Sequence, residues 1–350
     1  MKLNSRCFPY GALAYDNLDS TVRMVAKLFE KTPYLPFLPN ITPEDTILKR
    51  TLEHIPGVKL DGQKVMFKLG SDKYKHELTK LEQACNNPTK ELLEPYAIES
   101  VFMEKFESLI HKFKPTEACV NILGPFTLSQ ILLNEAEEQM PADKTFKKLF
   151  IQAVCVKALW AINKIREISK STVPVIVLEE PMLAQLGNIK RDNEDITVEY
   201  VTSMLAKVVE KIQPTGALLA VQCFDKCDWK IPINAGIDII SSDAYNNPNN
   251  LCIIPDHIID FLQRGGKINW GIIPTINESI VKNINLDLIE KRFINTLEGL
   301  VLAGVPRPLV YNSALVSVQG DVNELSLIFA EKALMLATQL SKRIPTVKKK

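Results

Sequence analysis

The sequence lacks the features that mark spanning, secreted and nucleic-acid-binding chains. No stretch approaches the ~18 uncharged apolar residues that a membrane helix needs, and the start, Met1-Lys2-Leu3-Asn4-Ser5, has no apolar segment of the secretory kind. Neither sign of charge predominates: 42 lysines and arginines stand against 41 aspartates and glutamates, a net charge of +1. That balance gives no electrostatic reason to expect nucleic acid or a membrane surface as partner. Cysteine is sparse. The seven thiols are odd in number and sit mostly inside apolar runs such as Ala118-Cys119-Val120 and Ala153-Val154-Cys155-Val156, the pattern of reduced core residues rather than of a disulfide framework. These absences make a soluble cytoplasmic protein the default expectation and leave small or apolar ligands open, a small-molecule ligand being the expected partner.

What is present is a rhythm. Short Val- and Ile-rich runs alternate with longer amphipathic stretches along the chain, which is the pattern of a parallel α/β fold. Strands are expected at Phe8 to Leu13, Lys64 to Leu69, Ala118 to Leu123, Val173 to Leu178, Ala217 to Cys223, Ile237 to Ser241, Lys267 to Ile273 and Leu309 to Asn312. Helices are expected at Leu18 to Phe29, Pro95 to Phe113, Ala142 to Ser169, Ile196 to Ile212, Pro255 to Arg264, Leu286 to Ala303 and Val322 to Leu340. Eight strands predict a single (β/α)8 TIM barrel over residues 1–345 with a basic, solvated tail at 346–350; an open doubly wound sheet is the alternative. The proline-rich segment Thr32 to Pro39 reads as a packed extended connector, with a pocket wall as its other reading.

In a barrel the chemistry sits where strands end. After the third expected strand, Gly124-Pro125-Phe126-Thr127-Leu128-Ser129 forces a turn, and Thr127 or Ser129 is placed to cap a helix or touch a ligand. After the fourth, Glu179-Glu180-Pro181 sets two carboxylates at a strand end, which is costly unless they are solvated, paired or bound to something. After the fifth come Cys223 and Cys227, with a spacing that is not the Cys-x-x-Cys of a strong zinc or redox motif. Asp243 follows the sixth, as a ligand or as a helix cap.

These segments, in this order, resemble the methionine-synthase-like branch of the uroporphyrinogen decarboxylase and cobalamin-independent methionine synthase superfamily. Tyr34 to Pro39 is similar to its "PfWPQLP" segment, Gly124 to Thr127 to "GPvTl", and Glu179 to Leu183 to "DEPaL". Cys227-Asp228-Trp229, Gly236 to Ala244 and Gly265 to Thr275 continue the resemblance along nearly the whole chain. It implies a TIM barrel, methyl transfer to a thiol, and a zinc ion held by a His-x-Cys, an acidic residue and a later cysteine, which lowers the pKa of the accepting thiol.

The chain departs from that pattern at the ligands. Gln222-Cys223-Phe224 stands at the His-x-Cys position, or Val221-Gln222-Cys223 in a register shifted by one. Asp243 stands at the acidic position, and no cysteine lies within Tyr311 to Leu315. Gly11-Ala12-Leu13-Ala14-Tyr15 lacks the histidine of a "GSlPH"-like turn. Cys223 and Asp243 therefore supply at most two zinc ligands where three or four are needed, with Cys227 and His257 as the remaining candidates.

The resemblance implies a methyltransferase relative with a degenerate zinc site. Glu179, Glu180 and Asp243 are its candidate catalytic residues, and Gly124, Thr127, Trp229 and Asn312 line its substrate site. The alternative is a non-catalytic barrel, a possible pseudoenzyme, that binds a small ligand or a partner protein. A metal-free decarboxylase is disfavoured because no arginine cluster lies near the strand ends to receive a polycarboxylate.

Overall fold

Val, Ile and Leu fill the strand runs because side chains of this kind suit a pleat buried on both faces. The computed structural model describes residues 6–61, 64–67, 72–134, 137–140 and 142–344. Its strands in chain order are β1 (Val58–Asp61), β2 (Lys64–Phe67), β3 (Glu117–Leu123), β4 (Leu133–Asn134), β5 (Val173–Glu179), β6 (Leu218–Cys223), β7 (Ile239–Asp243), β8 (Lys267–Ile273) and β9 (Ala314–Val318). Six of them, in the order β3-β5-β6-β7-β8-β9, form one sheet in which every neighbouring pair is parallel. Helices alternate with these strands, as the sequence pattern predicts.

Both edges of this sheet carry irregular extended chain. Phe8 N donates to Val316 O and Val316 N to Arg6 O, each at 2.8 Å, along β9. On the opposite edge Leu35 N donates to Cys119 O (3.1 Å) and Cys119 N to Pro33 O (2.9 Å), along β3. The two edge segments meet each other where Leu13 N donates to Phe37 O at 3.0 Å. The sheet is therefore curled. The eight regular strands expected from the sequence are not all present: Phe8 to Leu13 makes one isolated bridge, Ala12 to Phe37, because Pro9 lacks a donor and Gly11 turns through a φ of +76°.

Two other expectations are corrected. The Lys64 to Leu69 run joins a small separate sheet of order β1-β2-β4, antiparallel to β1 and parallel to β4; its last residues, 68 and 69, lie outside the described chain. The Leu309 to Asn312 run is part of the helix Arg307–Ser313, started by Pro306 and Pro308, and the last strand is β9. The expected basic tail at 346–350 also lies outside the described residues.

The proline-rich connector is clamped by Arg50. Its guanidinium donates to Leu35 O (2.7 Å) and Pro36 O (3.0 Å), pairs with Asp45 at 3.3 Å, and lies 3.7 Å over the Phe37 ring. Thr51 on the same short helix accepts from Leu123 N at 2.9 Å, tying it to the end of β3. Asparagine, aspartate and threonine caps start four of the longer helices: Asn17, Asp143, Thr197 and Asn285 each accept from a first-turn amide. Among the described residues no helix is long and apolar enough to cross a membrane, and all seven cysteines are free.

Candidate functional site

Parallel register brings the carboxyl ends of the strands to one rim. Leu123 pairs with Glu179, Glu179 with Gln222, Gln222 with Ser241, Asp243 with Gly271, and Gly271 with Ser317. Residues in register share a face of the pleat, so Asn121, Glu179, Gln222, Ser241, Asn269 and Ser317 line the inside of the curl. Asn121 donates to Glu179 at 2.9 Å, and Asn269 donates to Ser241 (2.7 Å) and Ser317 (2.9 Å). This inner layer is short of partners: Asn121 Oδ1, Gln222 Nε2 and Asn269 Oδ1 are buried with no hydrogen bond, as is Oε1 of Gln319 just beyond β9. Buried polar atoms in folded proteins almost always have a partner, so four orphans around one rim single it out as the candidate site.

The two strand-end glutamates have different jobs. Glu179 projects into the curl, where Tyr10 donates to its Oε2 at 3.5 Å. Burial, reinforced by the nearby Asp321, pushes its carboxyl up to about 8 against the pull of Asn121 and Arg50. Glu180 turns the other way and is fully buried. It accepts from Phe126 N (3.0 Å), Thr127 N (2.7 Å) and Thr127 Oγ1 (2.6 Å), closing the amino end of the helix Pro125–Ile131. Burial raises its carboxyl to about 7 in spite of those three donors. The cap expected from Thr127 or Ser129 is thus supplied from the next strand: Thr127 donates to Glu180, and Ser129 donates to Phe126 O. Gly124 makes this possible, since a Cβ there would fall 2.1 Å from Glu180 Oε1.

Asp243 is held by three donors: Asn246 N (2.9 Å), Asn246 Nδ2 (2.8 Å) and Gln319 Nε2 (3.1 Å). Asp321, an exposed residue just beyond β9, accepts from Ala12 N at 2.7 Å and acts electrostatically on Glu179. Gly11 leaves it room, because a Cβ at that position would lie 2.1 Å from Asp321 Oδ1. Tyr10, Asn121, Gln319 and Asp321 were not among the residues singled out from sequence. Asn121 carried a signal, being one amide inside an otherwise apolar run; Gln319 and Asp321 were hidden by placing the last strand several residues too early.

Trp229 and Asn312 lie apart from this rim. Trp229 is buried at the start of the helix Lys230–Ala235, its indole N–H without a partner, and lines an outer cavity of about 570 Å3 with Lys190, Lys226 and Cys227. Asn312 precedes β9, and its carbonyl accepts from Lys267 at the first residue of β8. That places it at the amino ends of the strands, away from the mouth.

The resemblance implies a zinc ion at the end of β6, and the residues present do not fit one. Gln222 and Phe224 are the inward positions: Gln222 meets Ser241 (3.5 Å), and the Phe224 ring packs edge-on against Tyr10 at 4.7 Å. Cys223 is the residue between them and points to the opposite face. Its Sγ lies 3.8 Å from Asp225 O, and the Cys227 thiol and the Ala184 amide hydrogen-bond to it. Cys223 stands opposite Ser242 across the β6–β7 pair, so Asp243, the next residue, falls on the other face of the pleat. An amide and a phenyl ring occupy the two ligand positions, and neither supplies the nitrogen or thiolate that zinc requires.

No protein-family model matches the chain, and no curated protein matches it.

Proposed function

We propose that this chain is a methionine-synthase-like barrel relative that binds a small amine-bearing ligand at the carboxyl ends of its strands and does not carry out zinc-thiolate methyl transfer. On this reading the curled sheet and its two edge segments act as one eight-stranded ring in a single domain. The edge bridges Cys7 to Val316, Ala12 to Phe37 and Tyr34 to Cys119 support that closure.

The observation that carries the reading is the acceptor-rich mouth. Glu179 and Asp321 bring two carboxylates, and three of the four unpartnered buried atoms around them are acceptors: Asn121 Oδ1, Asn269 Oδ1 and Gln319 Oε1. An ammonium group offers three donors and a positive charge, which is the complement of that set. Its arrival stabilises the ionised form of Glu179, so binding releases a proton wherever the free protein holds that carboxyl protonated. Tyr10 and Phe224 supply an apolar wall beside it.

A thermal-shift and calorimetric screen of amino acids and primary amines tests this. Affinity for the best amine is expected to rise about tenfold per pH unit from pH 6 towards 8, and Glu179→Gln is expected to weaken binding and remove the pH dependence. A ligand without a cationic group that binds equally well to wild type and Glu179→Gln sinks the proposal.

A further inference from the structure

Far from the strand ends in sequence, a second set of ligating atoms converges. His54 follows the helix Ile47–Leu52, and Glu99 follows the turn Glu94–Tyr96. Nε2 of His54 lies 3.1 Å from Oε1 of Glu99. One carboxylate oxygen of Glu53 completes a trio whose atoms all lie within 4.8 Å of one another, and among the described residues no other three histidine, cysteine or carboxylate side chains come so close.

We propose that Glu53, His54 and Glu99 form a binding site for a first-row divalent cation, with one imidazole nitrogen and two carboxylate oxygens as protein ligands and water in the remaining positions. Bonds of about 2.1 Å to a single ion set its ligand atoms roughly 3–4 Å apart, the spacing already present between His54 and Glu99. A nitrogen ligand beside two oxygens suits zinc or manganese better than calcium, which takes oxygen alone. His54 and Glu99 keep 45% and 59% of their side-chain surface exposed, so an ion reaches them without any rearrangement of the core.

A second observation at Glu53 points the same way. Its Oε2 is buried and has no hydrogen-bond partner, and an uncompensated carboxylate oxygen is expensive. The cations already nearby do not compensate it fully. Lys49 Nζ approaches the other oxygen, Oε1, at 3.6 Å across one helical turn. Lys157 acts on both Glu53 and Glu99 through the interior, but its ammonium donates to Ala97 O at 3.0 Å. Glu99 also lines a cavity of about 230 Å3 with Asp45, Arg50 and Ser100, which leaves space for water beside the trio. The site shares no residue with the end of β6.

The test is calorimetric titration of zinc and, separately, manganese into full-length protein freed of metal with a chelator. One ion per chain is expected, with affinity on the order of micromolar. Glu99→Gln and His54→Asn should each weaken binding about tenfold or more, and Cys223→Ser should leave it unchanged. Asparagine is chosen at position 54 because that backbone sits at a φ of +64°, which asparagine tolerates. Absence of saturable binding by either ion up to about 1 mM overturns the proposal, as does unchanged affinity in both Glu99→Gln and His54→Asn, or loss of binding in Cys223→Ser.

Discussion

The mouth of the curled sheet and the Glu53, His54 and Glu99 group are both built from carboxylates, and their settings differ in nearly every other respect. Around the mouth the acids arrive on or just beyond strand ends, and burial raises Glu179, which faces into it, to about 8 and Glu180, which faces away, to about 7. The second group stands on turns, with Glu99 more than half exposed. Burial in a sheet interior favours the protonated carboxyl, and the proposed preference for an amine rests on that burial and on the orphaned partners around it. In the second group the proposed site rests on the mutual distance of three ligand atoms and on the one buried, unpartnered oxygen of Glu53.

The most severe way to break the mouth is Gly124→Ala. The new Cβ would overlap Glu180, which must then leave two backbone amides and a hydroxyl unsatisfied inside the protein. A loss of about 3 kcal/mol in chemical denaturation is expected. Gly187→Ala is the matched control: nothing lies within 4 Å of its added Cβ, and it sits in the helix Leu186–Asp192, so it should stabilise by about 0.4–1 kcal/mol. Equal effects from the two substitutions would remove the tight packing assigned to Gly124.

The pH response sharpens the comparison next. Glu179 binds its proton more tightly folded than unfolded, so its contribution to stability is complete below the ordinary carboxylate range, near pH 4.5, and is lost as pH rises through about 8. Wild-type stability should therefore decline across that window, Glu179 contributing at most about 1.4 kcal/mol per pH unit and Glu180, raised to about 7, adding to the decline in its lower part. Glu179→Gln, which mimics the protonated acid, should flatten this part of the decline. A wild-type profile already flat from pH 5 to 8 would rule out the buried setting described for Glu179.

The smallest effect is expected in the exposed group. In metal-free protein Glu99→Gln should change stability by less than about 0.5 kcal/mol, because an exposed ion pair contributes little. A cost of several kcal/mol would mean that the pair with His54 is structural, and the contrast with the mouth would disappear.

Much of the architecture was legible. The strand runs that became β3, β5, β6 and β8 were placed to within a residue or so, since a parallel strand buried on both faces leaves an unbroken apolar run. Lys64 to Leu69 failed because a hairpin strand and a sheet strand share the same local pattern, and Leu309 to Asn312 failed because a short buried helix turn also reads as apolar. In the site, Glu179 and Glu180 were visible as charges at a strand end, but their opposite orientations were not. Cys223 drew attention as a thiol near the place for a ligand, and the pleat turned it away from Asp243.

The sequence by itself determined the alternation of strand and helix, local helix caps such as Asn17 and Asp143, and the presence of carboxylates at the strand ends, because each depends on residues close together in the chain. Only the tertiary structure decided which carboxylate faces the mouth, that Gly11 and Gly124 make room for Asp321 and Glu180, and that His54 meets Glu99 across 45 residues. Those outcomes depend on strand register and on loops packing together, and neither is encoded in any local stretch of side chains.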